Sequence, residues 1–256
     1  MKPLFKDPIS DFGNLAPRIR ELIRDREPLE SCLLYNAALE TSLANYGHSI
    51  TSHTLQYVVY EFWTCLLHDG KRIYDILHSD SFQFDTPLIP IVQQDWPTYS
   101  DPFVRAAFFY ALARGSDVGR PSRGTINIDE FNHTASRRLT NFNVPNFKVE
   151  WNQQDNLNKT LQLNEPTKPT LLIPAGKYSY NLNDYGKNRG PEDTIFNHKE
   201  LAAELLSAKR RWILLYKNHP HVVKTYQRSS RIIPVDMHGN ITHKKKDCAE
   251  VIIANF

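Results

Sequence analysis

Hydrophobic positions in this chain fall into two patterns, short unbroken apolar runs and longer stretches with apolar residues three and four apart. Thr170-Leu171-Leu172-Ile173 is an unbroken run that stops at Pro174 and opens into Ala175-Gly176-Lys177-Tyr178, within the stretch Lys168 to Tyr180. Asn197 to Arg210 then places Leu201, Ala202, Leu205 and Leu206 on one face. It leads straight into a second run, Trp212-Ile213-Leu214-Leu215-Tyr216, which ends at Lys217-Asn218-His219-Pro220. A short apolar run bounded by Pro or Gly predicts a buried strand, and the three-four spacing predicts a helix. Strand, helix, strand in that order predicts a parallel α/β unit. The Pro174 to Tyr178 turn then lies at the carboxyl edge of the sheet, where such folds place ligands.

The same reading applied from the start predicts a basic amphipathic helix over Leu15 to Arg26, with Ile19, Leu22 and Ile23 inward. Ser31 to Leu34 reads as a strand leading into Tyr35-Asn36-Ala37-Ala38-Leu39-Glu40-Thr41, which reads as helix. Ile50 to His53 is a second short strand, and Leu55 to Leu67 is a buried helix whose Tyr57, Tyr60, Phe62 and Trp63 belong to the core. Phe82 to Ser100 is irregular, broken by Pro87, Pro90 and Pro97. Asp101 to Arg114 is the clearest helix: Asp101 caps it and Pro102 fits its first turn. A Gly-, Ser- and Asn-rich stretch follows that carries Arg114, Arg120, Arg123, Arg137 and Arg138, and Val144 to Trp151 then alternates like a strand. Arg231 to Val235 and Ala249 to Phe256, with the Met237 to Asn240 turn after the first, read as an antiparallel pair.

Composition narrows the class. With 256 residues, 41% hydrophobic and 23% charged, the chain can bury a sizeable core, and its formal charge of +3 permits an anionic partner without requiring one. Cys32, Cys65 and Cys248 have neither CxxC nor zinc-ligand spacing, which suits a reducing compartment and argues against a metal. The N-terminal MKPLFKDPISDFG lacks the apolar core of a signal peptide and no apolar run reaches membrane-spanning length. The expected location is the cytoplasm, meaning host cytoplasm or virion for a phage-encoded chain, with no membrane partner. There is no G-x-S-x-G, no Walker pattern and no close His/Cys/Asp cluster. His219 and His221, flanking Pro220, read as turn residues, and Lys244-Lys245-Lys246 as a solvated loop end.

Four pieces carry a resemblance: FGNLAPRIREL near the start, DPFVRAAFFYALAR from Asp101, the Asn143-Val144-Pro145 sequence, and YKNHP from Tyr216. Together they resemble the Dam-type DNA adenine-specific (N6) methyltransferases over most of the chain. The resemblance implies a class I S-adenosylmethionine-dependent methyltransferase-like, Rossmann-like α/β sheet with an inserted, mostly helical DNA-recognition subdomain. On this reading residues 1–54 and 155–256 form the α/β domain and 55–154 the helical and hairpin insertion. It implies S-adenosylmethionine seated by Tyr35, Asn36, Ala37 and His53, a catalytic turn at Pro174, Lys177 and Tyr178, and duplex DNA met by Arg114, Arg120, Arg123, Arg137 and Arg138.

Three departures weigh on the chemistry. YNAALET has no glycine where the family has a Gly-rich cofactor loop, and Thr51, Ser52 and His53 carry no negative charge where an acid holds the ribose. Ile173 stands where the family's Asp-Pro-Pro-Tyr has Asp, the acceptor for the adenine amine, while Pro174 and Tyr178 match its Pro and Tyr. A buried amine proton without an acceptor costs roughly 1–3 kcal/mol, and each ~1.4 kcal/mol is tenfold in rate. The leading expectation is therefore a catalytically impaired pseudoenzyme with a DNA-binding or scaffolding role. An active S-adenosylmethionine-dependent DNA adenine methyltransferase with unorthodox motifs, and a virion or interaction protein that binds no nucleic acid, are the alternatives.

Overall fold

The computed structural model describes residues 3–82, 84, 86–152, 161–178, 190–193 and 196–256. Seven strands among them form one sheet: β1 (Leu29–Ser31), β2 (Ile50–Thr54), β3 (Phe147–Trp151), β4 (Thr170–Gly176), β5 (Trp212–Lys217), β6 (Arg231–Val235) and β7 (Glu250–Ala254). Their order is β3-β2-β1-β4-β5-β7-β6, parallel except for β7, which runs antiparallel between β5 and β6. That order with one reversed strand is the class I methyltransferase sheet. The helices are α1 (Ala16–Arg20), α2 (Ala38–Asn45), α3 (Tyr57–Leu77), α4 (Ile89–Asp95), α5 (Pro102–Gly115), α6 (His133–Thr140), α7 (His198–Ser207) and α8 (Pro220–Tyr226). No helix among the described residues is long and apolar enough to cross a membrane.

The apolar runs become the central strands because both faces of the sheet are covered there. β4 and β7 are buried along their whole length. Leu172, Leu215 and Ile252 pack with Leu39 of α2, Phe62 of α3 and Phe109 of α5, whereas Leu171, Leu214 and Ile253 pack on the other face with Leu205 of α7 and Val222 of α8. A strand buried on both faces shows no alternation, which is why these runs read as continuous. Pro234 is accommodated because β6 is an edge strand.

Several elements differ from the reading of the sequence. β1 ends at Ser31, earlier than the Ser31 to Leu34 run, because Leu33 turns left-handed (φ 64°) and takes the chain out of the ladder. Helix α1 stops at Arg20, well short of Arg26, and the Arg24 amide donates to the Glu27 carboxylate (2.9 Å), a local bond that competes with helix continuation. Residues Ile89–Asp95 are helical within the supposedly irregular region, with Pro90 in the first turn, where a missing N–H costs nothing. Tyr57 is 45% exposed and Tyr60 half-buried, beside the equally surface-lying Trp151, so only Phe62 and Trp63 of that aromatic run enter the core. Strand β3 pairs with β2 at one edge of the sheet, and Phe62 of α3, Phe109 of α5 and Leu139 of α6 belong to the core cluster that includes Leu172 and Ile252. The boundary at 154/155, and Ser179 and Tyr180 of the catalytic stretch, lie outside the described residues.

Candidate functional site

The chain leaves β1 towards β2 on one side of the sheet, and β4 towards β5 on the other. The carboxyl ends of β1 and β4 are therefore the switch point where an open α/β sheet offers a crevice. The loop after β1 contains two left-handed residues, Leu33 and Ala37 (φ 50°), a conformation glycine adopts freely and one that costs a residue with a Cβ about 1–2 kcal/mol. Reading the sequence missed this: YNAALET looks helical, yet α2 begins only at Ala38.

The crevice is occupied by the protein itself. Among the described residues, Leu33 and Tyr35 of the β1 loop and Pro174 of β4 line a cavity of about 40 Å³ together with Ile9, Arg120 and Phe196. Ligand pockets for molecules of cofactor size run to ~300–1,000 Å³. Tyr35 is buried, its hydroxyl donates to the Gly119 carbonyl (2.6 Å), and its own carbonyl accepts from Trp63 Nε1 (2.7 Å). Burial pushes the Tyr35 phenol well above its usual range. Asn36 is buried too, and its side-chain oxygen accepts from the Ala38 amide (3.1 Å). His53 sits between Glu30 (3.8 Å) and Glu150 (3.6 Å), longer than hydrogen bonds but close enough for attraction. His53 and the Arg210 guanidinium, which donates to Glu30 (2.8 Å), hold the Glu30 carboxyl down at about 2.

The arginines expected to meet DNA largely face inward, onto the N-terminal segment. Arg138 Nη1 donates to the Pro3 carbonyl (2.9 Å) and Arg114 Nη1 to that of Leu4 (3.5 Å). Arg120 is 7% exposed and pairs with Asp7 (3.4 Å) and Asp193 (3.5 Å), and Arg123 also pairs with Asp193 (2.6 Å). Arg137 is exposed and makes no ion pair among the described residues. From the far side, Lys217 Nζ donates to the Asp11 carbonyl (3.0 Å) and to Glu250 (2.5 Å). Two glycines let the segment approach: at Gly119 (φ +67°) a Cβ would collide with the Lys6 carbonyl, and at Gly176 (φ +78°) it would lie 2.9 Å from that of Ile9. Nothing in the sequence pattern marks residues 3–11 as a strap, because the contacts that tie it to Gly119, Arg120, Arg138 and Lys217 span long sequence separations.

At the end of β4, Tyr178 is not presented on open surface. Its ring packs 4.8 Å from both His198 and His219, the latter nearly parallel, and His198 shares a 2.7 Å hydrogen bond with the Tyr216 hydroxyl. Burial and the neighbouring His219 depress His198 to about 4, so its imidazole is neutral near pH 7. Among the described residues no group of His, Cys, Asp or Glu is arranged to hold a metal. A separate open groove of about 1030 Å³ runs past Lys6, Asn14, Tyr46 and Lys217, and neither the β1 loop nor the end of β4 lines it.

No family model matches the sequence, and no curated protein matches it. Among solved structures it is similar to a TehB-like S-adenosylmethionine-dependent methyltransferase from Corynebacterium glutamicum, at 8% identity over 95% of this chain and 87% of that one, with a TM-score of 0.37. It is also similar to the 23S rRNA methyltransferase ErmE, at 11% identity over 97% of this chain and 69% of that one, TM-score 0.36. A third is the glycopeptide N-methyltransferase MtfA, at 7% identity over 97% and 91%, TM-score 0.35. By strand order and by its one reversed strand, the chain is an α/β protein with a class I methyltransferase-like, Rossmann-like fold.

Proposed function

We propose that this chain is a Dam-type, phage-encoded relative of the DNA adenine methyltransferases in which the cofactor crevice has been filled and catalysis impaired, leaving a scaffolding or DNA-binding role. The observation that carries this reading is the cavity of about 40 Å³ at the β1/β4 switch point, closed by Tyr35, Arg120 and Ile9. S-adenosylmethionine would have to displace a buried ion pair, a stacked guanidinium and part of the N-terminal segment, and then act without an acceptor at Ile173. Each lost buried partner costs about 1–3 kcal/mol. Calorimetry with S-adenosylmethionine tests it: no heat of saturation is expected, and binding in the micromolar range overturns the reading.

The second reading, an active adenine methyltransferase, is favoured by one feature, the left-handed Leu33 and Ala37 that shape the loop after β1. In it, S-adenosylmethionine binds a state with residues 3–11 withdrawn, and transfer of a labelled methyl group to duplex DNA would establish it. For the DNA-binding role, Arg137 is the exposed member of the arginine set, so a gel-shift titration should show a shallow dependence on salt, with a log–log slope near ~1 in magnitude. A slope several times steeper would return the inward-facing arginines to the phosphates. No salt-dependent affinity at all would leave scaffolding.

A further inference from the structure

The two edges of the sheet are finished differently. At the β6 edge the chain folds back on itself: the Thr242 amide donates to the Pro234 carbonyl (3.0 Å), Val235 bridges to Ile241, and Pro234 has no N–H to offer. At the other edge β3 runs Phe147-Lys148-Val149-Glu150-Trp151 without proline or bulge, and among the described residues no strand lies outside it. The Ile50 amide donates to the Asn146 carbonyl (2.8 Å) and the Asn152 amide to the Thr54 carbonyl (2.9 Å), so the even-numbered residues of β3 turn their backbone groups towards β2. Alternation along a strand then aims those of Phe147, Val149 and Trp151 outward. The Phe147 amide donates to the Val144 carbonyl (3.2 Å), but its carbonyl and both groups of Val149 and Trp151 make no bond beyond the ladder among the described residues.

An open edge is a template for another strand, and charges of one sign along it would repel a second copy. Here the two exposed charges are opposite in sign and share one face, Lys148 and Glu150, the latter with a side chain 60% exposed. We propose that this chain forms a two-fold dimer in which β3 pairs antiparallel with β3 of a second copy, centred on Val149, so that one sheet continues through both molecules. In that register Lys148 of each copy falls opposite Glu150 of the other. Val149 meets Val149 through a reciprocal pair of amide–carbonyl bonds, and each Trp151 amide reaches a Phe147 carbonyl. Trp151, 38% exposed, comes alongside Phe147 of the other copy on the α3 face. Moving the centre to Lys148 or to Glu150 sets like charges against each other, so the charge pattern selects one register. A pairing of strands this short lies at the small end of specific interfaces, which places the association in the micromolar range. The dimer stands whether or not the crevice between β1 and β4 is catalytic.

Sedimentation velocity on the full chain between ~1 and ~200 μM tests the proposal. The wild type should pass from monomer to dimer across that range. Lys148→Glu sets like charges in both cross-strand pairs and should weaken association by about tenfold, and Glu150→Lys should do the same. Both side chains are exposed, so circular dichroism should show each variant folded. Each variant repels itself yet complements the other, so an equimolar mixture of the two should associate as well as the wild type, a result that a folding defect could not imitate. A monomer at every concentration, a dimer that neither variant weakens, or a mixture that stays apart overturns the proposal.

Discussion

The guanidinium of Arg120 lies 3.5 Å above the ring of Tyr35, and the Tyr35 hydroxyl donates to the carbonyl of Gly119, the residue before that arginine. Through these two contacts the loop after β1 and the loop after α5 close over the switch point together. Asp7 and Asp193 complete the arrangement, each bringing a carboxylate to the same guanidinium. An arginine so placed is a strut, and a strut and a phosphate ligand respond differently to mutation.

Arg120→Ala leaves Asp7 and Asp193 buried with one partner fewer, and should cost about 3–5 kcal/mol of stability. Arg137→Ala, on the surface, should fall within about 0.5 kcal/mol of wild type. Urea unfolding followed by tryptophan fluorescence measures both. Near-equal effects would mean that Arg120 is not the buried anchor described above.

Backbone conformation predicts a pair of opposite effects. Ala37→Gly relieves a left-handed alanine and should stabilise by about 0.5 kcal/mol after the entropy of the unfolded glycine is counted. Gly119→Ala should destabilise by about 2 kcal/mol or more, since it adds left-handed strain and a collision with the Lys6 carbonyl. The unfolding midpoints of the two variants should therefore move to opposite sides of wild type.

Acid should destabilise the fold in two successive windows. His198 drops from 6.5 to about 4 on folding, so between those values the unfolded chain binds more protons and stability falls as pH falls. The effect is on the order of 2 kcal/mol once partial exposure is allowed for. Glu30 drops from 4.5 to about 2, and its contribution is lost in the same direction at lower pH. Burial raises Asp11, Glu40 and Glu192, which have the opposite sign, so the informative quantity is the difference between wild type and His198→Phe. That difference should slope between pH 6.5 and 4 and be flat above pH 7.5.

Thiol reactivity should follow burial. Desolvation pushes the Cys32 thiol far above its usual range and Cys65 up to about 11, whereas Cys248 is less deeply placed. An Ellman titration at pH 8 should modify Cys248 first, with Cys32 reacting only on unfolding. Rapid reaction of Cys32 in the folded chain would contradict the packing of β1 against β4.

The sequence by itself was enough to locate β4 and β5, the helix capped by Asp101, the antiparallel end and, through its resemblance, the sheet's class. Apolar runs such as Leu171 to Ile173 and Trp212 to Tyr216 are local signals of burial on both faces, and the Asp101 cap is a bond between near neighbours (2.7 Å to the Phe103 amide). The state of the candidate site was not legible there. That Arg114, Arg120 and Arg138 hold residues 3–7, that Leu33 and Ala37 are left-handed, and that Tyr178 packs among histidines depend on groups brought together from distant parts of the chain. An arginine in a Gly- and Ser-rich loop has the same local pattern whether it faces phosphate or a buried carboxylate. Only the folded chain decides which, because the charge it finds across the crevice is contributed by Asp7 and Asp193, which are at least 70 positions away.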